Sequence, residues 1–212
     1  MKPTAQSAMD ADLWALETEA LVKGYRAIAG VDEAGRGPLA GPVVAAAVIL
    51  PHAMAGSGIQ DSKKLTPKKR QHLYRLIYQN ARAVGVGIVD PVEIDRVNIL
   101  NASLAAMAMA VSNLFPSPDF LLIDGQFGFP SPAPQRPVVK GDALSASIAA
   151  ASIVAKVSRD ALMTRYDEEY PQFGFARHKG YPTRDHRDAL ARHGPCPIHR
   201  LSFHGAAGGA KP

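Results

Sequence analysis

Apolar positions in this chain fall into two patterns: short continuous or alternating runs, and longer stretches with apolar residues three and four apart. Ile28 to Val31 is a short apolar run that climbs into two adjacent carboxylates, Asp32 and Glu33, and breaks at Gly35-Arg36-Gly37. That pattern predicts a strand ending in a turn. Gly41 to Leu50 is rich in small and β-branched residues and stops at Pro51, which predicts a second strand doubling back beside the first. Thr66-Pro67 supplies an N-cap and a first helical position for a helix reaching Asn80. Ala83 to Val89 alternates as a third strand, and Ile94, Val97, Leu100, Leu104 and Met107 keep helical spacing across one helix from Pro91 to Asn113. Phe120 to Ile123 is continuously apolar, a strand buried on both faces that ends in Asp124-Gly125. After a proline-rich loop over 126–137, Val138 to Asp142 reads as another short strand closed by a carboxylate, followed by a helix from Ala143 to about Tyr166. Upstream, Asp12 to Val22 has helical spacing before Gly24, and residues 1–9 read as a loose tail.

With 212 residues, 47% of them hydrophobic, the chain is long enough for one well-buried core. The expected organisation is an N-terminal tail and short helix over 1–24, one main domain over 25–204, and a flexible tail over 205–212. The net charge of +5 points weakly to an anionic partner, and the positive excess concentrates beyond Pro171. A single cysteine, Cys196, excludes an internal disulfide framework and any multi-cysteine zinc site. Set between Pro195 and Pro197, it reads as a structural residue rather than a nucleophile. Lys2 is followed by polar and acidic residues, and no apolar run approaches membrane-spanning length, so a cytoplasmic, membrane-free protein is expected.

Three strand-like runs thus end in acids: Asp32 with Glu33, Asp124, and Asp142. In an α/β sheet the crevice at strand ends is where ligands bind, so neighbouring ends would bring these acids together. Two carboxylates about 4 Å apart repel by roughly 4 kcal/mol at an effective dielectric near 20, and a divalent cation removes that repulsion. All-oxygen ligation without cysteine points to Mg2+ or Mn2+, and two such ions suit phosphodiester hydrolysis. Taken singly, each acid has an ordinary alternative: Asp124-Gly125 as a turn, Asp142 as a helix N-cap, Asp32-Glu33 before a glycine turn. In a regular strand Asp32 and Glu33 point to opposite faces, so joint service to one ion calls for a kink, which Gly35 makes cheap. The spacing of Gly30 and Gly35 suggests a phosphate-cradling loop, but Arg36 and Gly37 stand where Lys and Ser or Thr are required.

With these acids in view, the chain resembles the bacterial ribonuclease HII family, the type 2 ribonucleases H, from about Tyr25 to Phe203. The blocks that carry the resemblance are Gly30-Val31-Asp32-Glu33-Ala34-Gly35-Arg36-Gly37-Pro38, Asp61-Ser62-Lys63-Lys64-Leu65, Asn98-Ile99-Leu100, Ile123-Asp124-Gly125, Lys140-Gly141-Asp142, Ala150 to Val157, His178-Lys179-Gly180-Tyr181 and Gly194 to Arg200. The resemblance implies an α/β, ribonuclease H-like fold: a mixed five-stranded sheet flanked by helices, with a helical C-terminal extension. It also implies an endonuclease that hydrolyses the RNA strand of RNA–DNA hybrids and incises 5′ of single ribonucleotides in duplex DNA, leaving 3′-hydroxyl and 5′-phosphate ends. Such an enzyme would act in ribonucleotide excision repair, as a monomer. By the same resemblance Asp32, Glu33, Asp124 and Asp142 are metal-binding catalytic acids, Gly35, Arg36 and Gly37 read the ribonucleotide, and Tyr181 tests the sugar on its 3′ side. Lys63, Lys64, Lys156 and Arg159 are further candidates for substrate contact, with a merely solvated surface as the alternative. The chain departs from the family's usual Gly-Tyr-Gly-Thr at Gly180-Tyr181-Pro182-Thr183, where proline restricts Tyr181 to extended backbone. A DNA-cutting nuclease on the same fold and a non-catalytic hybrid-binding module are the rival assignments.

Overall fold

The structure is a computed structural model and describes residues 12–54, 57–60, 62 and 65–206. The expected terminal tails therefore lie largely outside the described residues. Helix α1 (Ala15–Val22) leads into strand β1 (Ile28–Ala34), which pairs antiparallel with β2 (Val43–Ile49). Helix α2 (Pro67–Asn80) follows, and β3 (Ala83–Val89) pairs antiparallel with β2 on its far edge. Helices α3 (Pro91–Val97) and α4 (Ile99–Ser112) then bring the chain across the sheet to β4 (Phe120–Asp124), which lies parallel to β1. Strand β5 (Gln135–Val138) pairs parallel with β4, so the order is β3-β2-β1-β4-β5. Helix α5 (Ala146–Glu169) covers one face, and α6 (Phe175–His178) and α7 (Arg184–His193) form the C-terminal helical part.

Local chemistry sets these boundaries. The Thr66 side chain accepts the Lys69 amide and Pro67 opens α2, as the sequence predicts. Two expectations are corrected. The helix predicted from Pro91 to Asn113 is two helices, broken at Asn98, which adopts a left-handed φ of 70° and caps α4 by accepting the Asn101 amide. Asparagine tolerates that backbone and supplies the cap oxygen itself, so hydrophobic spacing runs through a break it does not report. The strand predicted over Val138–Asp142 is instead Gln135–Val138, within the segment expected as a proline-rich loop; Asp142 sits on a 3-10 turn, Gly141–Ala143, and Ser145 caps α5. Pro137 pairs with Ile123 from an edge strand, where its missing N–H does no harm.

Alternate residues of β1 and β2 serve two cores. Ala29, Val31, Ala45 and Ala47 pack with Ala102, Ala106 and Ala110 of α4, while Ala46 and Val48 pack with Leu73 and Ile77 of α2 and Ala149 to Val154 of α5. Small residues let α5 approach the sheet closely. A Cβ at Gly30 would stand 2.0 Å from the Ser147 carbonyl carbon. At the start of α5, the buried Glu17 carboxylate of α1 accepts the Ser145 hydroxyl at 2.6 Å and the Ser147 amide at 2.9 Å, a negative charge on a helix N-terminus. A third core of Leu39, Met163, Phe173, Phe175, Leu190 and Ile198 joins the C-terminal helices to the body. Among the described residues no helix is long and apolar enough to cross a membrane.

Gly30→Ala should force α5 off the sheet and lower stability by about 3 kcal/mol, a fall in Tm of roughly 6–12 °C for a chain of this size. Calorimetry of the variant checks this, and an unchanged Tm would show that α5 does not press on β1.

Candidate active site

The parallel register of β1 and β4 assembles the centre of the site. Val31 pairs with Ile123, so one residue further Asp32 and Asp124 stand side by side on adjacent strands with side chains on the same face. Asp32 is only 4% exposed. Burial, then the neighbouring charges of Glu33 and Asp124, hold its carboxyl well above the ordinary range, against a weaker opposing pull from the Ser152 hydroxyl and the Glu33 amide. The Glu33 amide donates to Asp32 Oδ1 at 2.7 Å. Glu33 is raised by burial and by Asp124, and the Arg36 guanidinium, 3.2 Å from Glu33 Oε1, pulls the other way. Its second oxygen, Oε2, is buried without a hydrogen-bond partner.

No kink is needed to bring Asp32 and Glu33 to one place. Strand β1 stays paired with β2 through Glu33–Ala45 and Ala34–Val44, and the left-handed Gly35, at φ 98°, comes only afterwards. The β1–β4 ladder, by contrast, stops at Val31–Ile123, because β4 ends at Asp124 and the chain turns at Gly125. The two carboxylates reach one cavity from opposite faces of the strand, around this open corner. The cavity has a volume of about 280 Å³, and Asp32, Glu33 and Asp124 form one side of it.

The remaining predicted residues divide. Gly35, Arg36, Gly37, Lys156, Arg159 and Tyr181 all border the cavity. Tyr181 is 44% exposed, and its ring edge lies 3.7 Å from where a Cβ on Gly37 would stand, so the aromatic ring lies beside the glycine loop. Lys156 pairs with Asp160 at 2.8 Å. Asp142 does not border the cavity. It is buried, and the adjacent Gly141 amide donates to Asp124 Oδ1 at 2.7 Å. Lys63 and Lys64 lie outside the described residues. Arg159 is not on a wet face: it is 1% exposed, and its guanidinium donates to the carbonyls of Pro42, Lys179 and Ala40 at 3.0, 3.0 and 3.1 Å. Burial pushes it down to about 10, so it stays cationic at neutral pH.

Sequence reasoning missed two structural contributors. Arg70, one turn into α2, donates to the carbonyls of Ser62 and Leu65, and so holds the buried Ser62 hydroxyl 2.8 Å from that of Ser152 beside Asp32. Arg200 is fully buried and donates to Gly35 and Arg36 in the glycine loop. The first had a cue in its position just after the helix start. The second had none, since a basic stretch does not announce which arginine turns inward.

The donor set suits a hard divalent cation. All the carboxylates supply oxygen, one buried oxygen lacks a partner, and two acids are pushed toward their neutral forms chiefly by burial and further by neighbouring carboxylates, which a cation would offset. Among the described residues no three Asp, Glu, His or Cys side chains enclose an ion by themselves, so water and substrate oxygens would complete the shell.

Sheet order and strand-end acids together define a protein of the ribonuclease H-like fold. The solved ribonuclease H2 of Pyrococcus horikoshii matches over 85% of this chain and 95% of its own, with a TM-score of 0.72 and 28% identity. A ribonuclease HIII solved with Mn2+ shares the fold at a TM-score of 0.69 and 19% identity, over 85% of this chain and 68% of its own. In sequence, the ribonuclease HII of Geotalea daltonii is 59% identical over 192 residues, covering 90% of this chain and 89% of the relative. The family profile described as Ribonuclease HII matches residues 29–206, and the chain belongs to that family.

The raised acids give a pH dependence whose sign is fixed. Folded Asp32 and Glu33 titrate above their unfolded values of 3.8 and 4.5, so native stability falls as pH rises from those values through the folded ones. In EDTA, Asp32→Asn should therefore raise Tm near pH 7.5 by about 2–4 °C, and adding Mg2+ should stabilise the native chain more than the variant. A variant that melts below the native chain in EDTA would contradict the crowding.

Proposed function

We propose that this chain is an endoribonuclease that hydrolyses the RNA strand of RNA–DNA hybrids and incises 5′ of single ribonucleotides in duplex DNA, using Mg2+ or Mn2+. Membership of the ribonuclease HII family supports the reaction class. The observation that carries the finer reading is the shared cavity, bordered by three carboxylates, the glycine loop and Tyr181 together.

Asp32, Glu33, Asp124 and Asp142 would hold the cation, and the Gly141 amide beside Asp142 fixes one Asp124 oxygen. When bound there, a divalent ion lowers the pKa of its water and neutralises charge gathering on the phosphate. The protein's own part is position. Asp32 and Asp124 are fixed by sheet pairing rather than by flexible loops, so little ordering remains to be done at the moment of reaction. Gly35, Arg36 and Gly37 present main chain where side chains are absent or turned aside, and main-chain N–H groups can bond the 2′-hydroxyl that separates RNA from DNA. Tyr181 offers a flat, half-exposed ring to the adjoining sugar. Lys156 stands at the rim to meet phosphate, and Lys63 is proposed for the same task on sequence alone. Arg159 is better read as support for the loop than as a substrate contact, since backbone carbonyls occupy its guanidinium.

Asp124→Asn keeps the shape of the site and removes a charge from the ion site. It should reduce hydrolysis of an RNA–DNA hybrid by at least about 10³-fold while hybrid affinity stays within roughly threefold. Gel-based cleavage and fluorescence anisotropy read the two quantities, and retained cleavage by the variant would end the proposal.

A further inference from the structure

Two buried arginines, of which Arg159 borders the cavity, and a pair of buried histidines are linked through the short segment Ile198–Arg200 to the glycine loop and to Tyr181. The Gly41 amide donates to the Ile198 carbonyl and the Arg200 amide to the Leu39 carbonyl, both at 2.8 Å, and Ala40 bridges His199. From this ladder the Arg200 side chain, 0% exposed, reaches under the glycine loop. It donates to the carbonyls of Gly35 at 2.6 Å, Arg36 at 3.0 Å and Gly41 at 2.7 and 2.9 Å. In a trans peptide the C=O and the following N–H point in opposite directions. Pinning the carbonyls of residues 35 and 36 inward therefore aims the N–H groups of Arg36 and Gly37 away from Arg200. Gly35 cannot carry a side chain here, for a Cβ would stand 2.0 Å from Arg159 Nε.

The same segment reaches Tyr181. The Tyr181 carbonyl can only accept, so His186 Nδ1 carries the proton across their 2.9 Å contact. His186 Nε2 is then an acceptor for His199 Nε2–H at 3.0 Å, and His199 Nδ1 accepts the Cys196 amide at 2.9 Å. Every proton in this chain has one place to be. Burial keeps both imidazoles neutral, His199 down to about 4.

We infer that His199 and Arg200 form one bracket that sets the gap between the Gly35–Gly37 loop and Tyr181, which makes Arg200, His199 and His186 positioning residues for the recognition of a single ribonucleotide. This rests on the functional reading above. A long RNA strand offers a 2′-hydroxyl at every position, so a displaced loop still finds one to bind. A lone ribonucleotide offers one register only, and so is sensitive to the gap.

The test compares the native chain with Arg200→Lys and His186→Gln. Two quantities are read: the ratio of kcat/KM for a single-ribonucleotide duplex over an RNA–DNA hybrid tract, and the amide order parameters of Arg36, Gly37 and Tyr181. In folded Arg200→Lys the ratio should fall on the order of tenfold, with tract cleavage within about threefold of native, and order parameters at Arg36 and Gly37 should fall from about 0.85 to below about 0.6. His186→Gln should lower the ratio similarly and loosen Tyr181. Unchanged order parameters, or equal losses on both substrates, would overturn the bracket. Should Arg200→Lys fail to fold, His186→Gln decides by the same two readouts. A native chain that cuts neither duplex would strike the functional reading, while the order parameters still decide the bracket.

Discussion

The in-register parallel pairing of β1 with β4 forces two acids, Asp32 and Asp124, to share a buried corner with Glu33. Each like-charged pair at about 4 Å costs on the order of 4 kcal/mol at an effective dielectric near 20, against a net domain stability of about 5–15 kcal/mol. Hydrogen bonding along β1 and apolar packing of both sheet faces hold the acids in place in spite of that repulsion. The carboxyls respond by rising toward their neutral forms. A cation would restore their charge and turn an electrostatic liability into binding energy, which is how the sheet's geometry becomes a metal preference.

A second set of buried charges lies under the glycine loop. Arg159 and Arg200 are satisfied by main-chain carbonyls rather than by carboxylates: seven hydrogen bonds go to residues 35, 36, 40, 41, 42 and 179, two of them directly to the glycine loop. Breaking such a network leaves a buried cation exposed to a low dielectric, a costly change, so the loop has few alternative positions. The acids and the loop follow one another on β1. In the proposed function, cutting and checking are therefore tied to the same strand and the turn that follows it.

Much of this was legible in the sequence where chemistry is local. Apolar runs located four of the five strands, Thr66-Pro67 fixed the start of α2, and the acids at the ends of β1 and β4 border one cavity; β5 lies over Gln135–Val138, in a segment whose prolines read as a loop. The failures have physical causes. Asn98 breaks a helix while supplying its own cap, so hydrophobic spacing passes over it unaltered. Asp142 falls on a turn because Lys140 takes a left-handed conformation that lysine's identity does not advertise. The expected kink between Asp32 and Glu33 proved unnecessary, because the corner opens where β4 stops, and the end of one strand is invisible from the residues of another. The inward turn of Arg159 and Arg200 depends on carbonyls brought near by tertiary folding, which no spacing encodes.

The central claim is that strand-end carboxylates and the glycine loop act together on one nucleotide. The most direct measurement is incision mapping on a DNA duplex with a single ribonucleotide, beside its all-deoxy twin, with Mg2+ and with EDTA. The account predicts one metal-dependent cut immediately 5′ of the ribonucleotide, leaving a 3′-hydroxyl and a 5′-phosphate, with the twin intact. Equal cutting of the two duplexes, or cutting that persists in EDTA, would contradict it.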